Sequence, residues 1–453
     1  MSPTLHALIF NLQYNKPKKT IKIMKPIHNL TIVALLLLLA SCSKAPEKVT
    51  HVNDYNKYLE TQENEMLQIT KEDFKFWEKK HEKEPNQFPY LAKAAASQSQ
   101  LFKDTGNIND LIGAEEKLVE ANEKSGYAQT GYLRALARNY ISQHKFKESL
   151  QLLKKAEAIG ENLNGTQKML FDVYLELGNY EAAESYLTKI ENFEDFDYLI
   201  RFSKWSDHQG DLDNAILYLE KATEMAESSK NKWLKLWAYT NLADYYGHNG
   251  QIKASYDHYL KALAIDNNDA YAKKGIAWIV YSHERNPEEA LRILDAISKN
   301  HYEPSYYLLK AEIAEYMGNN EIKQQHLKSY FSAIENEKYG NMYNKYNALI
   351  YAEDLTQTAN ALKIANTEIN NRPTPQSYDL LAWIYYNQGD AKEALEIMEN
   401  HVVDRTYEPE ALYHLAHIYK ANGKVGEAKS LKKELLESAF ELGPLMEQKI
   451  KQI

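Results

Sequence analysis

Small and apolar residues recur along this chain around a series of evenly placed glycines, and their spacing predicts paired helices rather than strands. Gly106, Gly178, Gly210, Gly250, Gly318, Gly389 and Gly423 are separated by 72, 32, 40, 68, 71 and 34 residues, one or two units of about 34. Five residues after most of them stands a small residue: Ala183, Ala215, Ser255, Ala394 and Ala428. Seven residues before several stands another: Ala243, Ala311, Ala382 and Ala416. Tyr246, Tyr385 and Tyr419 lie three residues beyond that second small position. A two-helix hairpin accounts for this spacing. Glycine supplies a turn conformation that other residues resist. The small residues sit where two helices cross closely, and the aromatics fill the gaps between successive hairpins. Only 17 glycines and 12 prolines in 453 residues argue against many short strands and tight turns.

The clearest unit is Leu242–Asp266, with Leu242, Ala243, Tyr246, Gly250, Ser255, Tyr259 and Ala262 in register. Leu415–Leu435 repeats it, with Lys432 at a usually apolar position. Tyr132–Ala156 has His144 in place of the turn glycine, and Gln167–Ile190 has Phe171 where a small residue is usual. Lys323 also occupies a small-residue position, and Asn341–Arg372 lacks the glycine. A two-hairpin block is copied within the chain. Ile276–Tyr281 matches Leu381–Tyr386, and both run on through Glu-Ala-Leu to Tyr-Glu-Pro with compensating one-residue shifts. This arrangement resembles the tetratricopeptide repeat (TPR). The resemblance implies an all-α fold, an alpha-alpha superhelix (solenoid) of about ten TPR-like helical hairpins spanning residues 88–438. Residues 53–87 read as an N-terminal helical cap packing Phe74 and Trp77, and residues 439–453, containing the helix-breaking Gly443-Pro444, as a C-terminal tail.

The N-terminus changes both the charge balance and the expected location. Residues 1–41 carry five lysines and no acidic residue, so beyond them 49 basic residues face 63 acidic ones, a balance of −14 rather than the −9 of the whole sequence. Such a body is a poor electrostatic match for nucleic acid. Leu30–Ala40 is an apolar run of 11 residues, short of the roughly 20 that span a bilayer, and fits the core of a secretory signal with Met24 as its start. The run ends in Leu39-Ala40-Ser41-Cys42, which resembles the bacterial lipoprotein box. The resemblance implies lipidation of Cys42, a mature chain beginning there, and residues 42–52 as a lipid-anchored linker. Ser43 resembles signals for outer-membrane delivery, and Ser43–Lys48 lacks the acidic cluster of many surface-displayed lipoproteins, so the expected location is the outer membrane, facing the periplasm. Cys42 is the sole cysteine, which excludes an intramolecular disulfide framework and thiolate-rich metal sites.

No phosphate-binding glycine loop, zinc-protease motif or nucleophile elbow is present, and no catalytic constellation emerges. His414 and His417 lie within one helical turn, the start of a metal site or simply two half-exposed histidines, with no third ligand identifiable. No cofactor is expected. By the TPR resemblance the first helix of each hairpin lines a concave groove, which places Arg134, Arg138, Lys204, Asp244, Lys274, Trp278, Tyr281, Glu312, Trp383, Tyr386 and His417 on its surface. The aromatics there either anchor a peptide or helix, or pack against the next hairpin. The expected function is a non-enzymatic, lipid-anchored scaffold binding a protein or peptide partner. The alternatives are a nutrient- or glycan-binding lipoprotein resembling the SusD-like group and an outer-membrane assembly component.

Overall fold

The computed structural model describes residues 47–60 and 64–453; the apolar run Leu30–Ala40, expected to be an export signal, and Cys42 lie outside them. Two helices come first, α1 (Val52–Leu59) and α2 (Glu65–Lys83). Ten hairpins follow. The first five are α3/α4 (Pro89–Thr105, Ile108–Lys124), α5/α6 (Thr130–Ser142, Phe146–Ile159), α7/α8 (Leu163–Glu176, Tyr180–Lys189), α9/α10 (Phe196–His208, Leu212–Ser228) and α11/α12 (Lys232–His248, Ile252–Ile265). The second five are α13/α14 (Ala270–Trp278, Pro287–Ile297), α15/α16 (Ser305–Tyr316, Asn320–Ile334), α17/α18 (Asn344–Ala352, Thr358–Asn371), α19/α20 (Pro375–Asn387, Ala391–His401) and α21/α22 (Pro409–Ala421, Val425–Glu437). A final helix, α23 (Ala439–Ile450), closes the chain, and no strand occurs among the described residues.

The glycine ladder marks the hairpin turns. All seven spaced glycines have φ between +70° and +90°, the left-handed region where a Cβ is costly. In five of the seven the next residue is Asn or Asp (Asn107, Asn179, Asp211, Asn319, Asp390), whose side chain accepts a backbone N–H of the following helix. Such a cap is worth about 1 kcal/mol. His144 takes the glycine's conformation itself, at φ +58°. Behind the turns, Ala183, Ala215 and Ala394 are fully buried at the helix crossings, and Ser203 Oγ donates to the Ala215 carbonyl at 2.6 Å. Inserting a larger side chain at such a crossing costs about 1–3 kcal/mol. Phe171, out of pattern in sequence, is fully buried edge-to-face against Trp205.

The one-residue shift between the two copied blocks has a structural cause. In the first copy Ile279–His283 form a π-helical turn directly after α13, with Glu284 N–H donating to the Ile279 carbonyl. One extra residue is absorbed there, so Arg285 stands at the turn where the second copy has Gly389. Arg285 has φ +57°, and Asn286 caps α14 as Asp390 caps α20.

The array winds tightly enough that successive superhelical turns touch. Tyr302 N–H donates to the Thr105 carbonyl at 2.8 Å, Asn371 Nδ2 to the His144 carbonyl at 3.1 Å, and Lys338 Nζ to Asn109 Oδ1 at 2.6 Å. At the N-terminal edge the Val49 and Thr50 N–H groups both donate to Glu284, and Tyr55 donates to Glu289 at 2.6 Å. These contacts join residues 197 to 235 positions apart, about six to seven units of 34. The N-terminal helices therefore play separate parts. Helix α2 packs on the first hairpin, with Trp77 against Tyr90, whereas α1 lies across α12 and α14.

Candidate functional site

The first helices of the hairpins face inward, and α23 lies on that inner surface. Apart from α22, which precedes it, α23 packs on α11, the π turn after α13, α15 and α21, each part of the first half of a hairpin. Its course is set by Gly443 (φ +84°, ψ +165°) and Pro444, which kink it. Residues 439–453, set apart as a tail in the sequence, are thus seated in the groove.

The contacts are specific. Trp278 Nε1 donates to the Phe440 carbonyl at 3.1 Å and Ser282 Oγ donates to the same oxygen at 2.6 Å. Arg285 pairs with Glu447, and Lys449 with Glu315 at 3.5 Å. Gly443 is buried against the Trp278 ring and Glu312, where an added Cβ would lie 2.9 Å from the indole and 3.0 Å from Glu312 Oε1. Pro444, Leu445 and Ile450 are buried with it. Burial of this apolar area drives the seating, and the two hydrogen bonds to Phe440 fix its register.

The sequence-predicted groove residues separate into three groups. Trp278 and Glu312 meet α23. Tyr281 supports them from beneath: its side chain is fully buried, edge-to-face on Tyr316, and its hydroxyl donates to Glu312 at 3.1 Å. Burial pushes the Glu312 carboxyl up to about 7. The second group lies along the first helices, and most of its members reach a neighbouring segment. Arg134 reaches Thr166 Oγ1 at 3.1 Å, Lys204 pairs with Glu176 at 2.9 Å, and Lys274 pairs with Glu303 at 3.2 Å. Glu176 also meets Arg372 from the next superhelical turn, at 3.4 Å. Burial works to lower the Lys204 ammonium, but Glu176 and Asp172 hold it above its ordinary range. Asp244 accepts from the Tyr259 and Tyr271 hydroxyls, and burial raises its carboxyl. Arg138 is exposed.

The third group forms a packed aromatic cluster. Trp383 is buried, stacked on His414 at 4.0 Å and on Tyr386 at 5.0 Å, so it acts as core rather than as an open anchor. His414 Nδ1 lies 2.9 Å from buried Asp379. His417 Nε2 is buried without a hydrogen-bond partner, and burial, with His414 and Lys420 nearby, depresses its imidazole to about 4. Among the described residues no group of three His, Cys, Asp or Glu side chains is placed to hold a metal, and no helix is long and apolar enough to cross a membrane.

A cavity of about 920 Å³ opens between α15/α16 and α17, lined by Leu327, Phe331, Tyr346, Leu349 and Lys449 among others. It lies where Lys323 replaces a small residue and pairs with Glu315 at 2.6 Å, leaving most of α16 incompletely covered.

Residues that sequence reasoning missed are Ser282, Arg285, Phe440, Gly443 and Glu447. One signal was available. Asn286, capping as Asp390 does, marks Arg285 as the turn residue and hence the extra residue before it.

The chain carries tetratricopeptide repeats, matched at residues 376–400 by one repeat family and at 206–229, 238–269 and 409–441 by another. No curated protein matches the sequence. Similar solved structures include one from the functional characterization of Pseudomonas aeruginosa PilF, at 14% identity over 46% of this chain and 94% of that one, TM-score 0.35. Another is a tetratricopeptide repeat protein from Parabacteroides merdae, at 17% identity over 57% of this chain and 96% of that one, TM-score 0.33. YrrB, described as a TPR protein with an unusual peptide-binding site, is 19% identical over 43% of this chain and 95% of its own, TM-score 0.26.

Proposed function

We propose that this chain is a non-enzymatic interaction scaffold of the bacterial cell envelope, held at the outer membrane by a lipid on Cys42 and facing the periplasm. It binds a protein or peptide partner on the inner surface of its superhelix. The observation that carries the binding role is the seating of α23: this surface holds a helical protein segment by named hydrogen bonds and ion pairs. The anchoring role rests on the apolar run Leu30–Ala40 and the Leu39-Ala40-Ser41-Cys42 sequence in which it ends. Each buried CH₂ of an acyl chain is worth about 0.8 kcal/mol, and more than one chain is needed for durable attachment. Several carboxylates are engaged between hairpins, among them Glu115 with Lys145, Asp172 with Arg201, Glu176 with Lys204 and Glu303 with Lys274.

Two measurements test this reading. Cys42→Ala is expected to leave the protein soluble or unprocessed, and unchanged membrane fractionation of that variant would refute the anchor. Affinity purification from detergent-solubilised membranes, read by mass spectrometry, is expected to recover a partner with the wild type. Capture should fall with Trp278→Ala at unchanged helicity. Equal capture by both would remove the inner surface from the binding role.

A further inference from the structure

Helix α23 is seated as a ligand would be, and the surface beneath it departs from the repeat pattern at the points of contact. The second copied hairpin turns at Gly389; the first turns at Arg285, in a left-handed conformation that glycine would adopt freely. His144 takes the same conformation at its own turn, but at Arg285 the residue so held is also the one that meets Glu447 of α23. The extra residue that brings Arg285 to the turn sits in the π-helical segment Ile279–His283, the same segment whose Ser282 joins Trp278 on the Phe440 carbonyl. Gly443 is likewise fitted to its place, since a side chain there would strike Trp278 and Glu312. Arg285 is not saturated: its Nη1 is buried and has no hydrogen-bond partner. A planar guanidinium holding a carboxylate through one nitrogen has a second donor ready for bidentate pairing.

We propose that Trp278, Ser282, Arg285 and Glu312 form a receptor for a short kinked helix, that residues 439–453 are its resident occupant, and that the protein partner docks by inserting a like segment in their place. This rests on the scaffold reading above and specifies its partner. The incoming segment has an aromatic residue whose main-chain carbonyl faces Trp278 and Ser282, a glycine–proline break over Glu312, and a carboxylate that takes both donors of Arg285. Exchange requires only the segment after the last hairpin to leave, because every hairpin is complete by Glu437.

The test uses the full chain and a fluorescein-labelled peptide of residues 439–453. Phe440→Ala with Glu447→Ala loosens the resident helix while leaving the receptor intact. Fluorescence anisotropy is expected to show at least tenfold tighter peptide binding to the loosened chain than to wild type. Adding Arg285→Glu is expected to weaken binding at least tenfold, and a peptide carrying Glu447→Lys to restore it. Equal binding to loosened and wild-type chains, or no charge-swap rescue, would overturn the proposal. So would loss of hairpin helicity in the loosened chain, which would make α23 a structural end cap. In the wild type, amides of Leu445–Ile450 are expected to exchange faster than those of α21, and equal protection counts against displacement. A partner captured while those amides stay protected would leave the scaffold reading standing and overturn this one. Peptide exchange without any captured partner would leave the receptor for residues 439–453 standing, but overturn the scaffold reading and the docking partner with it.

Discussion

Gly443→Ala perturbs α23 at its most demanding point. The backbone there, φ +84° and ψ +165°, lies in a region that is essentially glycine's alone, and holding another residue in it costs on the order of 1–3 kcal/mol. The added Cβ would also sit 2.9 Å from the Trp278 ring and 3.0 Å from Glu312 Oε1, so one of these groups must shift. Together these effects set the loss at about 2–3 kcal/mol, confined to the seating of α23. Converted to an opening equilibrium, that is roughly 30- to 140-fold. Hydrogen exchange read by mass spectrometry measures it directly. Amides of Leu445–Ile450 are expected to exchange faster by about that factor, while those of α5 and α6, which do not touch α23, keep their protection. Unchanged protection in α23 would refute the strain argument. Uniform loss along the whole array would show that α23 holds the solenoid together rather than resting on it.

Gly106→Ala is expected to cost about 3 kcal/mol in thermal or urea unfolding, because φ is +70° and a Cβ would lie 2.0 Å from the Tyr302 carbonyl oxygen across the contact between superhelical turns. His414→Ala is expected to destabilise by about 3–5 kcal/mol by leaving buried Asp379 without its partner, and a second change, Asp379→Leu, should recover part of that loss. Burial raises the Glu312 carboxyl from 4.5 to about 7, so the folded state binds the proton more tightly than the unfolded one. Stability is therefore expected to fall as pH rises from about 4.5 through about 7, and Glu312→Gln to flatten that dependence when urea midpoints are compared at pH 5 and pH 8.

The fold was legible in the sequence where it depended on local backbone chemistry. A glycine held at positive φ at the turn, followed in most units by a capping Asn or Asp, is a constraint that each hairpin must meet alone, and so it repeats visibly. His144 was recognisable as a substitute because its neighbours kept the register. Arg285 was not, since the π turn displaced it by one position. The groove assignments were legible only in part. Helical spacing places Trp278 and Trp383 on equivalent faces, but what covers each face depends on elements far away in the chain. Trp278 meets Phe440 from the far C-terminal end, whereas Trp383 is closed over by Tyr386 and the neighbouring His414. Nothing in residues 439–453 themselves specifies where they dock; Gly443-Pro444 announces a kink and no more. The contacts between superhelical turns were equally hidden, because the pitch sums small rotations over many hairpins.

Those contacts between turns alter the mechanics of the array. An open solenoid couples each unit only to its neighbours, so it can fray from an end or stretch like a spring. Here Glu284 holds the backbone at Val49 and Thr50, and Tyr302 holds Thr105, so each turn is latched to the next. Extension under load must break these latches before any hairpin separates. Such a coil resists tension before its hairpins part, and cutting away α1 is expected to loosen the hairpin α13/α14, the sixth of the ten.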